Sequence, residues 1–377
     1  MKRLLALILT LLMTLSLFAC KSDEANTDDT QIPTSPAEET VDPSKIIDIY
    51  LIAGQSNAVG HTGFYNNGNT QEYIHYLKQF APELAEGGSG YTHIHYAGNS
   101  RKDKTENGIR TLVNQDKPWQ KISIGLGASE NHIGPEVGMA RALAKYYNAE
   151  SGRSAGIIKF AHGGTSIRNL ETGSNMFGNW VSPSYAKELN VSYNDTDITG
   201  ALYRGLLEQV KRNISELYEY GGYEQINIRG IYWMQGESDR NKPQEYEKAF
   251  AFFASDLRRD LSEIMLGFTG GKSDLGASEM GIFIGSISKG YNITDKFTEN
   301  MINVPFIKMQ EKLAEDIENC YFVNNTGYAI TKWDSATNTV IKLGWDAHHW
   351  NAKDMLNIGY NVGKIMFDRC VINGKVK

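Results

Sequence analysis

The stretch Asp48-Ile-Tyr-Leu-Ile-Ala-Gly-Gln-Ser-Asn57 contains the main signal for both fold and chemistry. Its apolar residues favour a strand, and the run stops abruptly at Gly54. Directly afterwards, Ser56 presents a hydroxyl between two amide side chains. A sharp turn after a buried strand is a common way for a hydrolase to display a serine nucleophile. The sequence therefore predicts a strand over 46–53 with Ser56 just past its carboxyl end.

Strand-like runs alternate with helical patterns along the rest of the chain. The predicted strands cover residues 46–53, 155–161, 226–234, 280–287 and 321–323, and the predicted helices cover residues 136–147, 201–220, 244–265, 305–318 and 350–368. Several strands are almost continuously apolar, so burial on both faces is expected. This alternation predicts a single α/β domain in which helices cover both faces of a parallel sheet.

Two long stretches, 60–129 and 171–199, have no clear periodicity. Loops of this length in a compact domain usually form functional walls or lids. Trp119 and Trp180 lie in these stretches, and we considered both as residues that stack on sugar rings.

A serine nucleophile needs a base, and the segment Gly344-Trp-Asp-Ala-His-His-Trp-Asn351 supplies one. Asp346 precedes His349 by three residues, a spacing that puts both side chains on one face of a helical turn. This carboxylate is therefore expected to orient the imidazole that accepts the proton of Ser56. His348 competes for the role of base, and Asp346 can also cap the helix that follows.

Further short blocks occur in a fixed order with these residues. They are Gly54-Gln55-Ser56-Asn57, Gly134-Pro135-Glu136, Gly163-Gly164-Thr165, Trp233-Met234-Gln235-Gly236-Glu237-Ser238-Asp239 and the closing Asp346 with His349. Together they make the chain similar to an SGNH-type serine esterase of the sialate O-acetylesterase and acetylxylan esterase group, carbohydrate esterase family six. The resemblance covers roughly residues 46–368. It implies a three-layer α/β/α fold with a flavodoxin-like sheet, and it selects His349 over His348 as the base.

An esterase also needs donors for the oxyanion that develops on the carbonyl oxygen. The expected donors are the backbone N–H groups of Ser56 and Gly164, and the resemblance adds the side-chain amide of Gln235. The residues expected to support the site are Gln55, Asn57, Gly163 and Glu237. Glu237 and Asp239 also resemble a glycosidase carboxylate pair, but the triad elsewhere favours Glu237 as a buried anchor for the loop around Ser56.

The N-terminal segment predicts export and anchoring. Met1-Lys-Arg is followed by an apolar stretch that ends Leu17-Phe-Ala-Cys20, close to a bacterial lipobox. We therefore predict a lipoprotein signal peptide over 1–20 with Cys20 as the lipidated residue, a flexible polar linker over 21–45 and an esterase domain over 46–377. A plain secretory signal is the alternative. The predicted location is the bacterial cell envelope, at the outer membrane or the cell surface.

Composition narrows the partners. The chain has 377 residues, of which 41% are hydrophobic and 22% charged, and its formal net charge is -6. A globular protein without a basic surface for nucleic acid is therefore expected. His93 and His95 alternate as a metal pair would, but nothing nearby completes a set, so we expect no metal and no cofactor. Cys320 and Cys370 are compatible with a disulfide or with free thiols.

The sequence thus predicts a serine esterase that removes O-acetyl groups from carbohydrate through an acetyl-enzyme. By resemblance, the substrate is an acetylated xylan-type oligosaccharide or an O-acetylated sialic acid. Two alternatives remain open at this stage. One is a non-catalytic carbohydrate-binding surface lipoprotein, and the other is a metal-dependent deacetylase that uses His93 and His95.

Overall fold

The computed structural model describes residues 41–63, 76–85, 87–106, 109–116, 119–128, 132–168, 178–289, 303–328, 333–334, 339–340 and 349–372. The predicted signal peptide, Cys20 and the first twenty residues of the predicted linker lie outside these ranges, as do Asp346 and His348. Residues 41–377 cluster as one compact unit. The last residues of the predicted linker, Pro43–Lys45, form a 3-10 turn. Within the described ranges, no helix is both long enough and apolar enough to cross a membrane.

The strands are β1 (Ile46–Gly54), β2 (Thr62–Gly63), β3 (Ile94–Glu106), β4 (Ile109–Asp116), β5 (Gln120–Lys121), β6 (His132–Ile133), β7 (Ser154–Ala161), β8 (Gln225–Met234), β9 (Gly281–Gly285), β10 (Cys320–Val323), β11 (Trp333–Asp334) and β12 (Thr339–Val340). The α-helices are α1 (Ser56–Val59), α2 (Glu136–Leu143), α3 (Pro183–Glu188), α4 (Ala201–Glu219), α5 (Pro243–Phe268), α6 (Val304–Asp316) and α7 (Ala352–Phe367). All five predicted strands and all five predicted helices are confirmed.

One sheet contains eight of the strands, in the order β10-β9-β8-β1-β7-β3-β4, with β5 paired to β3. The five predicted strands run parallel in the order β7-β1-β8-β9-β10. This is the 2-1-3-4-5 order of flavodoxin-like folds, so the predicted fold class is confirmed. The sheet is not entirely parallel, however, because β4 and β5 pair with β3 in the antiparallel direction.

The prediction of a long loop over 60–129 was wrong in part. Residues 94–98 pair in parallel with β7 and extend the sheet, and 99–106 form a hairpin with β4. The sequence did not predict these strands because the hairpin carries many charged residues. A strand buried on both faces has a nearly continuous apolar run instead.

Two apolar cores lie on the two faces of the sheet. Alternate residues of β1 point to opposite sides, so Ile49 and Leu51 join one core while Tyr50 and Ile52 join the other. Apolar residues of α4, α5 and α6 pack in the first core. Apolar residues of α2 and α7 pack in the second. These contacts give the expected three-layer arrangement.

The start of β1 contains a carboxylate, Asp48, that is completely buried from solvent and surrounded by hydrogen-bond donors. Its Oδ1 accepts hydrogen bonds from Asn227 Nδ2 (2.7 Å) and Arg229 Nε (2.8 Å). Its Oδ2 accepts from Tyr147 Oη (2.7 Å) and from Arg153 (2.6 Å). A buried charge is tolerated only when it is paired and hydrogen-bonded, and these four donors meet that requirement. This cluster links β1 to β8 at the amino-terminal ends of the strands, opposite the end where Ser56 lies.

A second buried charge, the ammonium of Lys159 on β7, lies behind α1. It donates to the carbonyl oxygens of Val59 (3.1 Å) and Leu126 (2.8 Å) and to Glu136 Oε2 (2.9 Å). Glu136 Oε1 accepts from Gly134 N (2.9 Å). Glu136, the first residue of α2, therefore neutralises Lys159. Through Val59, this ion pair fixes the carboxyl end of the helical turn that begins at Ser56.

Cys320 and Cys370 are buried free thiols, which resolves the alternative left open by the sequence. Burial raises the pKa of each to about 12. Both are therefore protonated and unreactive at neutral pH.

Removing one member of the Lys159–Glu136 pair is expected to destabilise the fold strongly, because the remaining charge stays buried. We expect Glu136→Leu to lower the free energy of unfolding by about 3–5 kcal/mol. The double variant Lys159→Met/Glu136→Leu is expected to recover part of this loss. Urea unfolding measures both effects. As a control, Glu188→Gln in the exposed pair with Lys248 is expected to change stability by less than about 1 kcal/mol. Equal losses in the single and double variants would contradict the assignment.

Candidate active site

The turn that carries Ser56 begins where β1 comes unusually close to β8. Gly54 has φ +139°, and a Cβ atom there would lie 2.1 Å from the carbonyl oxygen of Met234. Only glycine fits at this point. The next residue, Gln55, donates its backbone N–H to the same oxygen at 3.0 Å. Ser56 is therefore held beside the end of β8.

Ser56 is the first residue of α1, a single helical turn. The N–H groups of Gly60 and His61 both reach the carbonyl oxygen of Ser56, at 3.0 and 3.2 Å. The N–H of Ser56 has no acceptor inside the helix, as at any helix start, so its role as an oxyanion donor stays a prediction that the helix geometry allows. Ser56 is 9% exposed, so its hydroxyl lies at the edge of the core rather than on an open surface.

His349 is brought to this turn by the backbone of its neighbour. Trp350 donates its N–H to Asn57 Oδ1 at 3.3 Å, across a sequence separation of 293 residues. The carbonyl oxygen of Trp350 accepts from Thr62 Oγ1 at 2.8 Å. Two hydrogen bonds therefore anchor the segment of the predicted base to Asn57 within α1 and to Thr62 after it. They place the segments of two residues of the predicted triad, Ser56 and His349, next to each other.

The predicted acid of the triad, Asp346, lies outside the described residues, so its role stays a prediction. A different carboxylate, Glu237, interacts electrostatically with His349. Its Oε1 accepts a hydrogen bond from Asn57 Nδ2 at 2.7 Å, and the residue is only 5% exposed. Asn57 therefore bonds both the loop of Glu237 and the segment of His349. The sequence predicted that Glu237 anchors the loop around Ser56. Its hydrogen bond with Asn57, the residue directly after Ser56, is compatible with that role.

Gly164, the second predicted oxyanion donor, lies in an exposed turn after β7. It follows β7 with φ +70°, a left-handed conformation that favours glycine. A Cβ atom there would meet no atom within 4 Å, so the backbone faces open space. Gly163, directly before it, is half-buried. The donor role of Gly164 stays a prediction, and its accessibility is compatible with it.

Gln235 is placed differently from Gly164. It is fully buried, and its Nε2 contacts three acceptors: Gln55 Oε1 (3.2 Å), Thr165 O (3.0 Å) and Asp239 Oδ2 (2.6 Å). An amide nitrogen carries only two hydrogen atoms, so these acceptors already use its capacity. In this arrangement Gln235 links the loops after β1, β7 and β8. Its assignment as a third oxyanion donor therefore remains a prediction that needs the side chain to exchange one of these partners for substrate.

Sequence reasoning gave Asp239 no firm role, yet it holds the site loops together. This fully buried carboxylate accepts from Gln235 Nε2, Ser166 Oγ, Ile167 N (3.2 Å) and Arg168 Nε (2.8 Å). Three of these donors lie in the loop after β7, whereas Gln235 and Asp239 itself lie in the loop after β8. A signal was present, because Asp239 follows Gln235 by four residues within one block.

Three side chains that the sequence suggested for sugar stacking or metal binding, those of Trp180, Trp119 and His95, are buried or lie far from Ser56. Trp180 is fully buried and donates to Thr165 Oγ1 at 3.0 Å, so it cannot stack on a sugar. Trp119 packs against Gly156, near the start of β7, and so lies at the opposite edge of the sheet. His95 pairs with the same glycine and contacts the Tyr223 hydroxyl. The metal-dependent alternative therefore has no support at the edge where Ser56 lies.

No group of three or more His, Cys, Asp or Glu side chains in the described ranges is arranged to hold a metal ion. Near Ser56, the ring of His61 lies against those of His132 and His349. The arrangement supplies a hydroxyl, an imidazole, buried carboxylates and backbone donors at one sheet edge. These groups are sufficient for acyl transfer from an ester.

A family model described as carbohydrate esterase, sialic acid-specific acetylesterase, matches residues 46–344. No curated protein sequence matches the chain. Among solved structures, the chain is similar to NanS, with 16% identity, a TM-score of 0.50, and coverage of 87% of this chain and 98% of NanS. That likeness supports the fold alone.

Two further structures are similar over most of this chain. A protein from Arabidopsis thaliana has 16% identity and a TM-score of 0.49, with 86% of this chain and 98% of that protein covered. A carbohydrate acetylesterase from Xanthomonas citri, XAC1771, has 12% identity and a TM-score of 0.42, with 86% and 56% covered.

The burial of Glu237 leads to a prediction about pH. Burial raises the pKa of its carboxyl above the ordinary value, although Asn57 and His349 act in the opposite direction. Ionisation of Glu237 therefore costs more in the folded protein than in the unfolded one. The stability that the protonated group contributes is present below the ordinary pKa and is lost as pH rises through the raised one. We expect Glu237→Gln to gain stability relative to wild type as pH rises from 4 to 8, measured by urea unfolding.

A matched control is Glu245→Gln. The half-exposed Glu245 pairs with Arg168, and this contact lowers its pKa. Its stabilising contribution is present above the ordinary pKa and is lost as pH falls, so the difference from wild type should have the opposite sign. The same pH trend in both variants would contradict the interpretation.

Proposed function

The chain belongs to the sialic acid-specific acetylesterase family of carbohydrate esterases, and from this premise we propose that it hydrolyses O-acetyl esters of carbohydrates with Ser56 as nucleophile and His349 as base. The observation that supports this proposal best is the bond between Trp350 N and Asn57 Oδ1. It joins the segment of the base to the residue directly after the nucleophile. Two segments that are distant in sequence are thus held in contact, which supports a shared site.

In the proposed mechanism, His349 removes the proton of the Ser56 hydroxyl as its oxygen attacks the acetyl carbonyl. The backbone N–H groups of Ser56 and Gly164 bind the negative oxygen of the tetrahedral intermediate. His349 then returns the proton to the sugar oxygen, which leaves as the alcohol. Water attacks the acetyl-enzyme by the same route, releasing acetate and restoring the Ser56 hydroxyl.

Two carboxylates are candidates for stabilising the protonated His349. Asp346 has the spacing that the family resemblance implies, and Glu237 interacts electrostatically with His349. We propose Asp346 as the residue that orients the ring. On this proposal, Glu237 contributes a nearby negative charge and holds Asn57.

We propose an O-acetylated sialic acid or an acetylated xylan-type oligosaccharide as substrate. The description of the matching family favours the sialic acid. Acetate release from a panel of acetylated sugars distinguishes the two.

Ser56→Ala is expected to fold normally and to lose activity by several orders of magnitude, because no other group replaces the nucleophile. His349→Ala should match it, since members of a triad act as a unit and their losses do not add. The measurement is kcat/KM on an activated acetyl ester, with a melting curve for each variant. His348→Ala is the matched control and should be much milder. Near-normal turnover in Ser56→Ala would exclude the nucleophile assignment.

The two carboxylates and the metal alternative are tested in the same assay. Asp346→Asn is expected to lower kcat by a factor approaching that of His349→Ala, whereas Glu237→Gln should lose less. The reverse order would make Glu237 the residue that orients the base.

Activity lost on treatment with a chelator and restored by zinc would favour the metal-dependent alternative.

We also propose that the native protein is anchored to a membrane of the bacterial envelope through a lipidated Cys20. The support is the sequence of the first twenty residues. Cys20→Ala is expected to move the protein from the membrane fraction to the soluble fraction, because a lipobox without its cysteine receives no acyl chains. Immunoblots of the two fractions measure this. Identical fractionation of the Cys20→Ala and native proteins would rule out the lipobox interpretation.

A further inference from the structure

Three histidine rings form a row that begins at the general base of the proposed mechanism. The ring of His61 stacks on that of His349, with centroids 5.4 Å apart and planes at 21°. The other neighbour of His61 is His132, whose ring meets it edge to face at 6.3 Å. All three rings are half-buried. The proposed mechanism assigns a role only to His349.

Backbone contacts position His61 and His132, the two members of the row that have no role in the proposed mechanism. His61 donates its N–H to the carbonyl oxygen of Ser56 at 3.2 Å, so its position is tied to the nucleophile turn. The next residues, Thr62–Gly63, form β2, and Gly63 pairs with His132 on β6. The two strands therefore hold His132 against His61. His61 therefore lies between the β2–β6 strand pair on one side and His349 on the other.

Base catalysis requires the imidazole in one orientation, because a misplacement of about 1 Å can cost two orders of magnitude in rate. The bonds of Trp350 are backbone bonds beside His349, so they position its Cα atom and not its ring. A flat ring stacked on one face of the imidazole removes much of its rotational freedom. The stacking geometry lies within the range in which aromatic pairs attract.

We propose that His61 is a positioning residue for the reaction: its ring stacks on His349 and holds the base in the orientation that faces Ser56. This inference rests on the proposed function, since it takes His349 as the base. In this proposal His61 acts through His349 and takes no part in the proton transfer itself.

The charges around the row fit this role. During the proposed reaction His349 becomes positively charged, and the buried carboxyl of Glu237 interacts with it electrostatically. At the other end, burial and then the charge of His349 lower the pKa of His132. His132 therefore stays neutral when His349 is protonated, so the row does not add a second positive charge at its far end.

The test uses three substitutions at His61 and steady-state kinetics on an activated acetyl ester. His61→Ala is expected to lower kcat three- to tenfold, about 0.7–1.4 kcal/mol, with KM unchanged within a factor of about two. His61→Phe keeps a flat ring and should restore most of kcat. His61→Gln keeps a polar group without a ring and should resemble His61→Ala.

His95→Ala is the matched control, since His95 is also a half-buried histidine in contact with an aromatic ring, that of Tyr223, but at the opposite sheet edge. Its kcat should equal that of wild type, and melting curves exclude loss of fold in every variant. A rise in KM alone, an unchanged kcat in His61→Ala, or a His61→Phe no better than His61→Ala would overturn the inference. If His349→Ala stays active, the proposed function fails. If His349→Ala is inactive and His61→Ala is normal, only this inference fails.

Discussion

The approach of β1 to β8 at Gly54 is the constraint on which the site depends. The glycine lies so close to the carbonyl oxygen of Met234 that any side chain would separate the strands. Because the strands are parallel and in this register, they end together, and the residues after each strand become neighbours. Ser56 and Gln235 therefore both lie at the carboxyl-terminal end of the sheet, at the point where the strand order reverses and such folds bind their ligands.

Buried charge stabilises this edge from behind. Lys159 cannot remain charged in the core without several acceptors, and it finds them in three separate segments of the chain, including the end of α1. Asp239 does the same for the loops after β7 and β8. Each buried ion costs desolvation, so its contribution lies in tying segments in one geometry more than in net stability. A preorganised site needs such rigidity, because its donors must be in place before charge develops.

The elements that sequence predicted well share a physical property. Strands buried on both faces need continuous apolar runs, so 46–53 and 226–234 were recognisable without any tertiary information. The region 94–116 was not, because its strands lie towards the edge of the sheet and carry charged residues. Trp180 shows the same limit for side chains. Its position in a long irregular stretch suggested a role at the surface, whereas tertiary packing buries it completely.

The sequence by itself determined the order along the chain of five parallel strands and five helices, the turn that carries Ser56, and the candidate residues for base and oxyanion binding. These features depend on local periodicity and on short blocks of residues. Only the tertiary structure decided which side chains meet: Trp350 with Asn57, the amide of Gln235 with three acceptors, and the ring of His61 with that of His349. The physical reason is that spacing describes neighbours on one element, whereas contacts between distant segments depend on how several buried elements pack at once.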